Sequence, residues 1–345
     1  MNFEPVRAHG GPSSGASEVQ ISYDFSVNLN YYAPNQAIRT AVEDAPYFTY
    51  PDPKQWRLRC SLASQSSWLA SGVLVGNGAT EILWLLAAHY RGKKAAVVGA
   101  TFCEFAVAAR KWCSSLTTLP MFTPHSQKPL EYLGTFLEQK KPDILYVCNP
   151  NSPCGTYLQH ADLMAVLSKH PSTAVILDQA FLRLSSARGD EKAVVPDNVM
   201  RLRSLTKDFG IAGLRLGYLL ASTPICEALE ELRPCWSVNS LALAAGEAAV
   251  TEGDFLDWSI LKLLSDRDYL LQGLQAIGLR PLPTTTIFFM MKVDNARSIE
   301  AALLARGIRI RSCASYGFPE YFRLGTRPKK DSDYLLKVLE RNIDV

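Results

Sequence analysis

The sequence predicts an α/β protein with a large domain around a mixed, mostly parallel sheet and a smaller α+β domain after it. Two observations carry that expectation. From about residue 79, segments of helical period alternate with short unbroken apolar runs, as in a sheet whose strands are covered by helices on both faces. Beyond about residue 235 the alternation stops, and one long helical stretch leads into short strands separated by helices.

In order along the chain, ATEILWLLAAHYRG (79–92) reads as a helix and KKAAVVGAT (93–101) as a strand. The helix ADLMAVLSKH (161–170) lies between two buried strands, PDILYVCNP (142–150) and TAVILDQAF (173–181). Two more strands, NVMRLRSLT (198–206) and LRLGYLLAS (214–222), flank a glycine-containing turn. Then come the helix DFLDWSILKLLSDRDYLLQGLQAIG (254–278), the strand TIFFMMKV (286–293), the helix SIEAALLARG (298–307), the strands IRIRSC (308–313) and YFRLGT (321–326), and a last helix DYLLKVLERNI (333–343). The expected division is an arm over 1–35, including a Gly/Ser-rich stretch at 10–17, a large domain over 36–235 and a small domain over 236–345.

Composition narrows the function class. A chain of 345 residues, 48% hydrophobic and 20% charged, can bury one large core or two modest ones. Its net charge of +3 comes from dispersed lysines and arginines nearly balanced by acids, which argues against a nucleic-acid partner. Eight cysteines form no CxxC pair and no Cys/His cluster, so reduced thiols are expected, with no metal site and no disulfide framework. No apolar run approaches the roughly 20 residues that span a bilayer, and the N-terminus has no secretory apolar core. A soluble cytoplasmic protein is the expectation.

The chemistry concentrates in SLTKDFGIAGLRLGY (204–218). A lysine at the end of a buried strand is costly as an ammonium, and Schiff-base formation with a carbonyl removes that cost. Ser204 lies three residues before Lys207 and Arg215 eight after it, a hydroxyl and a guanidinium suited to one phosphate. In GNGATE (76–81) glycines precede a helix start, where free N–H groups and the helix dipole favour a phosphate. Asp178 ends an apolar strand that gives a carboxylate no local purpose; opposite a protonated pyridine nitrogen it has one. Phe102 in GATFCEF offers a face for stacking, although a core role suits it as well.

The order GNGATE, ATF, NPNSPCG, LDQAF, SLTK, GLRLGY resembles the fold-type I pyridoxal-5′-phosphate (PLP) enzymes over almost the whole chain. The resemblance implies an aspartate-aminotransferase-like large domain, PLP as cofactor and a homodimer. A closer resemblance is to the threonine-phosphate decarboxylases of cobalamin biosynthesis, with the histidinol-phosphate aminotransferases as nearest relatives. It rests on AHGG (8–11), DFSVNLN (24–30), YPDP (50–53), DQAF, RSLTKDFGIAGLRLGYL, CWSVNSLA (235–242), IRIRSCASY (308–316) and YFRLGT.

By that resemblance Lys207 is the Schiff-base lysine, Asp178 the partner of the pyridine nitrogen and Phe102 the stacked aromatic. Ala79, Thr80, Ser204 and Arg215 cradle the cofactor phosphate, with Gly78, Thr206 and Phe181 in the same cofactor-binding set. His9, Gly10 and Asn28 contact a phosphorylated amino acid, and Arg311 and Arg323 take its two anions, Arg323 the carboxylate. Three departures bear on the substrate. The family's asparagine before the second proline of NPNSPCG is Ser152, with Asn151 one place earlier, so either could reach the cofactor's phenolic oxygen. Gln179 replaces a glutamate, and NYYAP (30–34) brings two tyrosines to the expected entrance.

The expected reaction is decarboxylation of O-phospho-L-threonine or O-phospho-L-serine to an aminoalkyl phosphate. The alternatives are amino transfer of the histidinol-phosphate kind and decarboxylation of a phosphonoamino acid. Phe181 favours decarboxylation, because aminotransferases usually place a tyrosine there. A catalytically silent PLP-binding scaffold is the reading from another class, disfavoured because Lys207, Asp178 and Arg215 are all in place.

Overall fold

A computed structural model describes residues 11, 19–121 and 129–341. Its strands are β1 (Tyr23–Asp24), β2 (Val73–Asn77), β3 (Lys94–Val98), β4 (Ser115–Leu119), β5 (Ile144–Cys148), β6 (Ala174–Asp178), β7 (Val199–Ser204), β8 (Leu216–Leu220), β9 (Phe288–Lys292), β10 (Ile308–Arg309), β11 (Arg311–Ser312) and β12 (Tyr321–Gly325). Among the described residues, seven of them form one sheet in the order β2-β8-β7-β6-β5-β3-β4. Neighbours from β7 through β4 run parallel, and β8 runs antiparallel to both β2 and β7. The large domain is thus an α/β fold with a mixed, mostly parallel sheet, as expected.

Both faces of the sheet are covered, which is why its strands read as unbroken apolar runs. On one face Ile144, Tyr146, Ile176, Met200 and Leu219 pack against the helices Gly78–His89, Glu104–Trp112 and Thr223–Leu232. On the other, Leu145, Val147, Val175 and Leu177 meet the helices Pro129–Lys140 and His160–Leu167. Alternate residues of one strand therefore enter different cores, as the two-residue period of a strand requires.

The second unit is a three-stranded antiparallel sheet, β11-β12-β9, with the helices Ala296–Leu304 and Lys329–Glu340 packed near it around Phe289, Met291, Phe322 and Leu324. The chain passes into this core later than the 235/236 boundary that the sequence suggests. Leu256, Ile260 and Leu263 of the helix Gly253–Ala276 belong to a large-domain core, while Leu270 and Leu274 of the same helix belong to the small one. The preceding helix Ser240–Thr251 also packs in the large domain, through Ala242, Ala245 and Ala249.

Two local expectations change. IRIRSC is not one strand: Ile308 and Arg309 pair parallel with β1, and Arg311 and Ser312 pair antiparallel with β12, the switch falling at Ile310. NVMRLRSLT ends as a strand at Ser204, and Leu205–Asp208 forms a helical turn. Lys207 therefore sits one turn beyond the strand. Among the described residues no helix is long and apolar enough to cross a membrane.

Candidate active site

The carboxyl ends of parallel strands are where an α/β sheet offers a crevice. Here β5, β6 and β7 end side by side, with Cys148 opposite Asp178 and Asp178 opposite Leu202 in register. A cavity of about 660 Å³ opens at that edge, and Asp178, Ser204 and Lys207 line it together with Arg311 and Arg323 from the small domain.

Asp178 is only 4% exposed, yet both its oxygens have partners: Oδ2 accepts from the Tyr146 hydroxyl at 2.6 Å and Oδ1 from the Ala180 N–H at 2.9 Å. Burial raises its proton affinity above the ordinary carboxylate value, opposed by these two hydrogen bonds and by the charge of Lys207. Lys207 is shifted the other way. Burial, and then the nearby Arg215 and Arg323, lower its pKa to about 8, while Asp178 and Asp208 pull it back. With that pKa roughly a tenth of the amine is neutral at pH 7, far more than for an ordinary lysine, and the neutral amine is the form that attacks a carbonyl or accepts a proton.

Ala79 and Thr80, in the first turn of the helix Gly78–His89, line the cavity with Ser204, Thr206 and Arg215. Gly78 works one step back: at φ +73° it is left-handed, and a Cβ there would meet the Arg215 guanidinium at 2.7 Å. Glycine lets Arg215 lie against the helix start. Thr206 lines the cavity, but its hydroxyl donates to the Leu216 carbonyl at 3.0 Å, fastening the lysine turn to β8. Phe102 and Phe181 are both on the wall, with Phe181 in edge contact with Phe288.

At the other end, Arg323 is buried, donating to the Ser152 hydroxyl at 3.2 Å and to the Ser26 carbonyl at 2.7 Å. Arg311 is its cross-strand neighbour. It donates to the Ser315 hydroxyl at 2.8 Å and stands 5.5 Å over the Tyr316 ring. Asn28 also lines the cavity, its Oδ1 buried and without a hydrogen-bond partner among the described residues. Of Asn151 and Ser152, it is the serine that faces the cavity. The Asn151 side chain turns away from the cavity, donating to the Ala100 carbonyl beyond β3 at 3.2 Å and accepting from the Cys154 thiol of its own loop at 3.0 Å, whereas Ser152 lines the cavity. Asn151 does not line the cavity, and its side chain is bonded to the protein around it. His9 and Gly10 lie outside the described residues.

Sequence patterns did not single out Ser26, Glu104, Cys148 and Tyr316, which also line the cavity. Glu104 accepts from the Trp84 indole at 3.0 Å. It stands two places after Phe102 inside a quoted motif, so an acid there was a usable signal. Tyr146, which holds Asp178, gave none, since a tyrosine in a buried strand looks like core.

A family model described as aminotransferase class I and II matches residues 21–341. The chain is 32% identical over 286 residues to a histidinol-phosphate aminotransferase of Symbiobacterium thermophilum, covering 81% of this chain and 78% of that protein. Two solved structures share the fold. A histidinol-phosphate aminotransferase from Sinorhizobium meliloti in complex with pyridoxal-5′-phosphate gives a TM-score of 0.83 at 23% identity, over 93% of this chain and 91% of that one. The L-threonine-O-3-phosphate decarboxylase from Porphyromonas gingivalis gives 0.77 at 23% identity, over 91% and 98%.

Proposed function

The chain belongs to the class I and II aminotransferase family, and on that footing we propose that it acts on a small amine carrying a phosphate, transferring its amino group as histidinol-phosphate aminotransferases do. The observation that carries this reading is one cavity in which Lys207, shifted toward its neutral form, shares space with two guanidinium groups of the small domain.

The cofactor of this family is pyridoxal 5′-phosphate, and the residues present fit it. Lys207 would carry it, Asp178 would serve its ring nitrogen, and Ala79, Thr80, Ser204 and Arg215 would hold its phosphate. A buried acid of raised proton affinity suits a group that shares a proton with a pyridine. When bound, the cofactor supplies an electron sink for the carbon that bears the substrate's amino group.

This chain's own residues do the rest. Arg323 grips an anion of the substrate and is itself aimed by Ser152 and the Ser26 carbonyl. Arg311, held by Ser315, offers a second anion site beside it. With the substrate fixed at that end, Lys207 moves a proton at the amino-bearing carbon. Asn28 offers a buried acceptor to a donor on the substrate.

Decarboxylation of a phosphorylated amino acid, which the motifs ranked first, becomes the second reading, because the curated relatives bear the aminotransferase name. Two observations favour it. Paired guanidiniums suit a substrate with both a carboxylate and a phosphate, and Phe181 puts no hydroxyl on the cavity wall. Product analysis separates the two. Histidinol phosphate with 2-oxoglutarate should yield glutamate; release of CO₂ from O-phospho-L-threonine or O-phospho-L-serine without any oxo acid would establish the second reading instead.

We also infer a homodimer. Tyr47, Phe48 and Tyr50 are 79–80% exposed, and Tyr50 stacks on the half-exposed Trp236 at 4.5 Å. Exposed aromatic surface of this kind favours a protein partner. Sedimentation should give twice the chain mass at micromolar concentration, and a monomer would reject the inference.

A further inference from the structure

DFSVNLN supplied Asn28 to the cavity, but its second asparagine, Asn30, had no role. In the structure residues 26–30 form a strap whose two ends are tied to the two groups the proposed function depends on most. At one end the Ser26 carbonyl accepts from Arg323 Nη2 at 2.7 Å. At the other the Asn30 N–H donates to the Lys207 carbonyl at 3.1 Å.

The Asn30 side chain completes the attachment. Its amide nitrogen donates to the Asp208 carbonyl at 2.9 Å and to the Ser259 hydroxyl at 2.8 Å, and its oxygen accepts from the Tyr32 N–H at 3.1 Å. The residue is 1% exposed, so these bonds are shielded from exchange with solvent. Leu205–Asp208 is a helix of one turn, too short to satisfy its own last carbonyls. Asn30 reaches two of them. Behind it the backbones are in close contact: a Cβ on Gly210 would meet the Asn30 carbonyl at 2.8 Å and the Ala33 carbonyl at 2.7 Å.

We propose that Asn30 is a positioning residue for Lys207, and that the strap Ser26–Asn30 sets the spacing between the lysine and Arg323. The inference rests on the roles given above to those two residues. Three segments meet at Asn30: the strap, the lysine turn, and the long helix Gly253–Ala276 through Ser259, which runs from the large-domain core into the small one. Asn30 thereby ties the lysine turn to the large-domain part of that helix.

The two ends of the strap should affect different kinetic constants. In the holoenzyme, with histidinol phosphate and O-phospho-L-threonine as probes, Asn30→Ala should lower kcat by about tenfold or more, with KM little changed. Amide hydrogen exchange in residues 205–210 should speed up. Ser26→Ala removes the hydroxyl that donates to Asp24 at 2.5 Å and accepts from the Gly11 N–H at 2.9 Å, and should chiefly raise KM. Ser259→Ala removes one of the Asn30 bonds, along with the Ser259 hydroxyl's own bond to the Leu256 carbonyl at 2.8 Å, and should reproduce the kcat fall more weakly, which keeps the test alive if Asn30→Ala does not fold. Wild-type kcat in both Asn30→Ala and Ser259→Ala, or equal changes of kcat and KM at both ends of the strap, would overturn the proposal. Activity surviving in Lys207→Ala would instead overturn the site assignment on which the proposal depends.

Discussion

The end of the cavity proposed for the cofactor and the end proposed for the substrate are built on different principles. The first hangs from the carboxyl ends of central strands of the seven-stranded sheet: Asp178 closes β6, Ser204 closes β7, and Lys207 follows one turn later. Its polar groups are held in place, Asp178 by Tyr146 and Ala180, Thr206 by Leu216. The second end is carried by a two-residue strand, by β12 and by the strap. It keeps two buried polar atoms without a hydrogen-bond partner among the described residues, Asn28 Oδ1 and Arg323 Nε. Leaving such an atom unsatisfied costs about 1–3 kcal/mol, so it persists where a ligand can pair with it. One end is preassembled for a single group, whereas the other is completed by what binds there.

The comparison breaks most sharply at Lys207. Lys207→Ala should reduce turnover by on the order of a thousandfold or more, and borohydride should then fix no cofactor to the protein. A cofactor-bearing peptide containing another lysine would refute the assignment. The same residue makes a pH prediction. Its pKa is lowered to about 8, and only the neutral amine captures an aldehyde, so the rate at which apoprotein takes up the cofactor should rise with pH through about 8 and level off above it. Arg323 is one cause of the lowering, so Arg323→Ala should move that midpoint to higher pH.

At the substrate end the losses should be smaller and selective. Arg323 is buried and bridges the strap and Ser152, so Arg323→Ala should weaken kcat/KM by about 2–5 kcal/mol on any anionic substrate. Arg311 is half-buried, and Arg311→Ala should cost about 1.5–3 kcal/mol on the phosphorylated substrate and little on its unphosphorylated analogue, with cofactor affinity unchanged. Equal losses on both substrates would assign Arg311 to a carboxylate and leave the phosphate to Arg323.

The same division explains what the sequence made legible. Lys207, Ser204 and Arg215 fall within twelve residues, and Asp178 stands out as an acid in an apolar strand, so chemistry and chain order coincide. The substrate end depends on contacts across the chain: Arg323 on Ser152 and Ser26, 171 and 297 residues away, and Asn30 on Asp208, 178 away. No local pattern encodes these. The split of IRIRSC was hidden for the same reason, since two different partner strands, not the alternation itself, decide where Arg309 and Arg311 point. Arg309 pairs with Asp24 at 3.3 Å, while Arg311 enters the cavity.

The smallest effect expected is at the pair of neighbours that sequence could not separate. The fate of Asn151 and Ser152 is decided by the loop: Gly155 sits at φ +76°, its N–H donates to the Asn151 carbonyl at 2.8 Å, and Cys154 occupies the Asn151 side-chain oxygen. Asn151 is fully buried and bonded within the large domain, so Asn151→Ala should lower stability by about 1–3 kcal/mol, seen as a fall in Tm, without favouring one substrate over another. Ser152 contributes one hydroxyl, 3.2 Å from Arg323, so Ser152→Ala should leave Tm nearly unchanged and raise KM by about 0.5–1.5 kcal/mol in equivalent binding. The two variants thus separate stability from recognition at adjacent positions. If Asn151→Ala instead changed substrate preference at constant Tm, the amide would belong to the cavity, and the serine would be the residue that holds the loop.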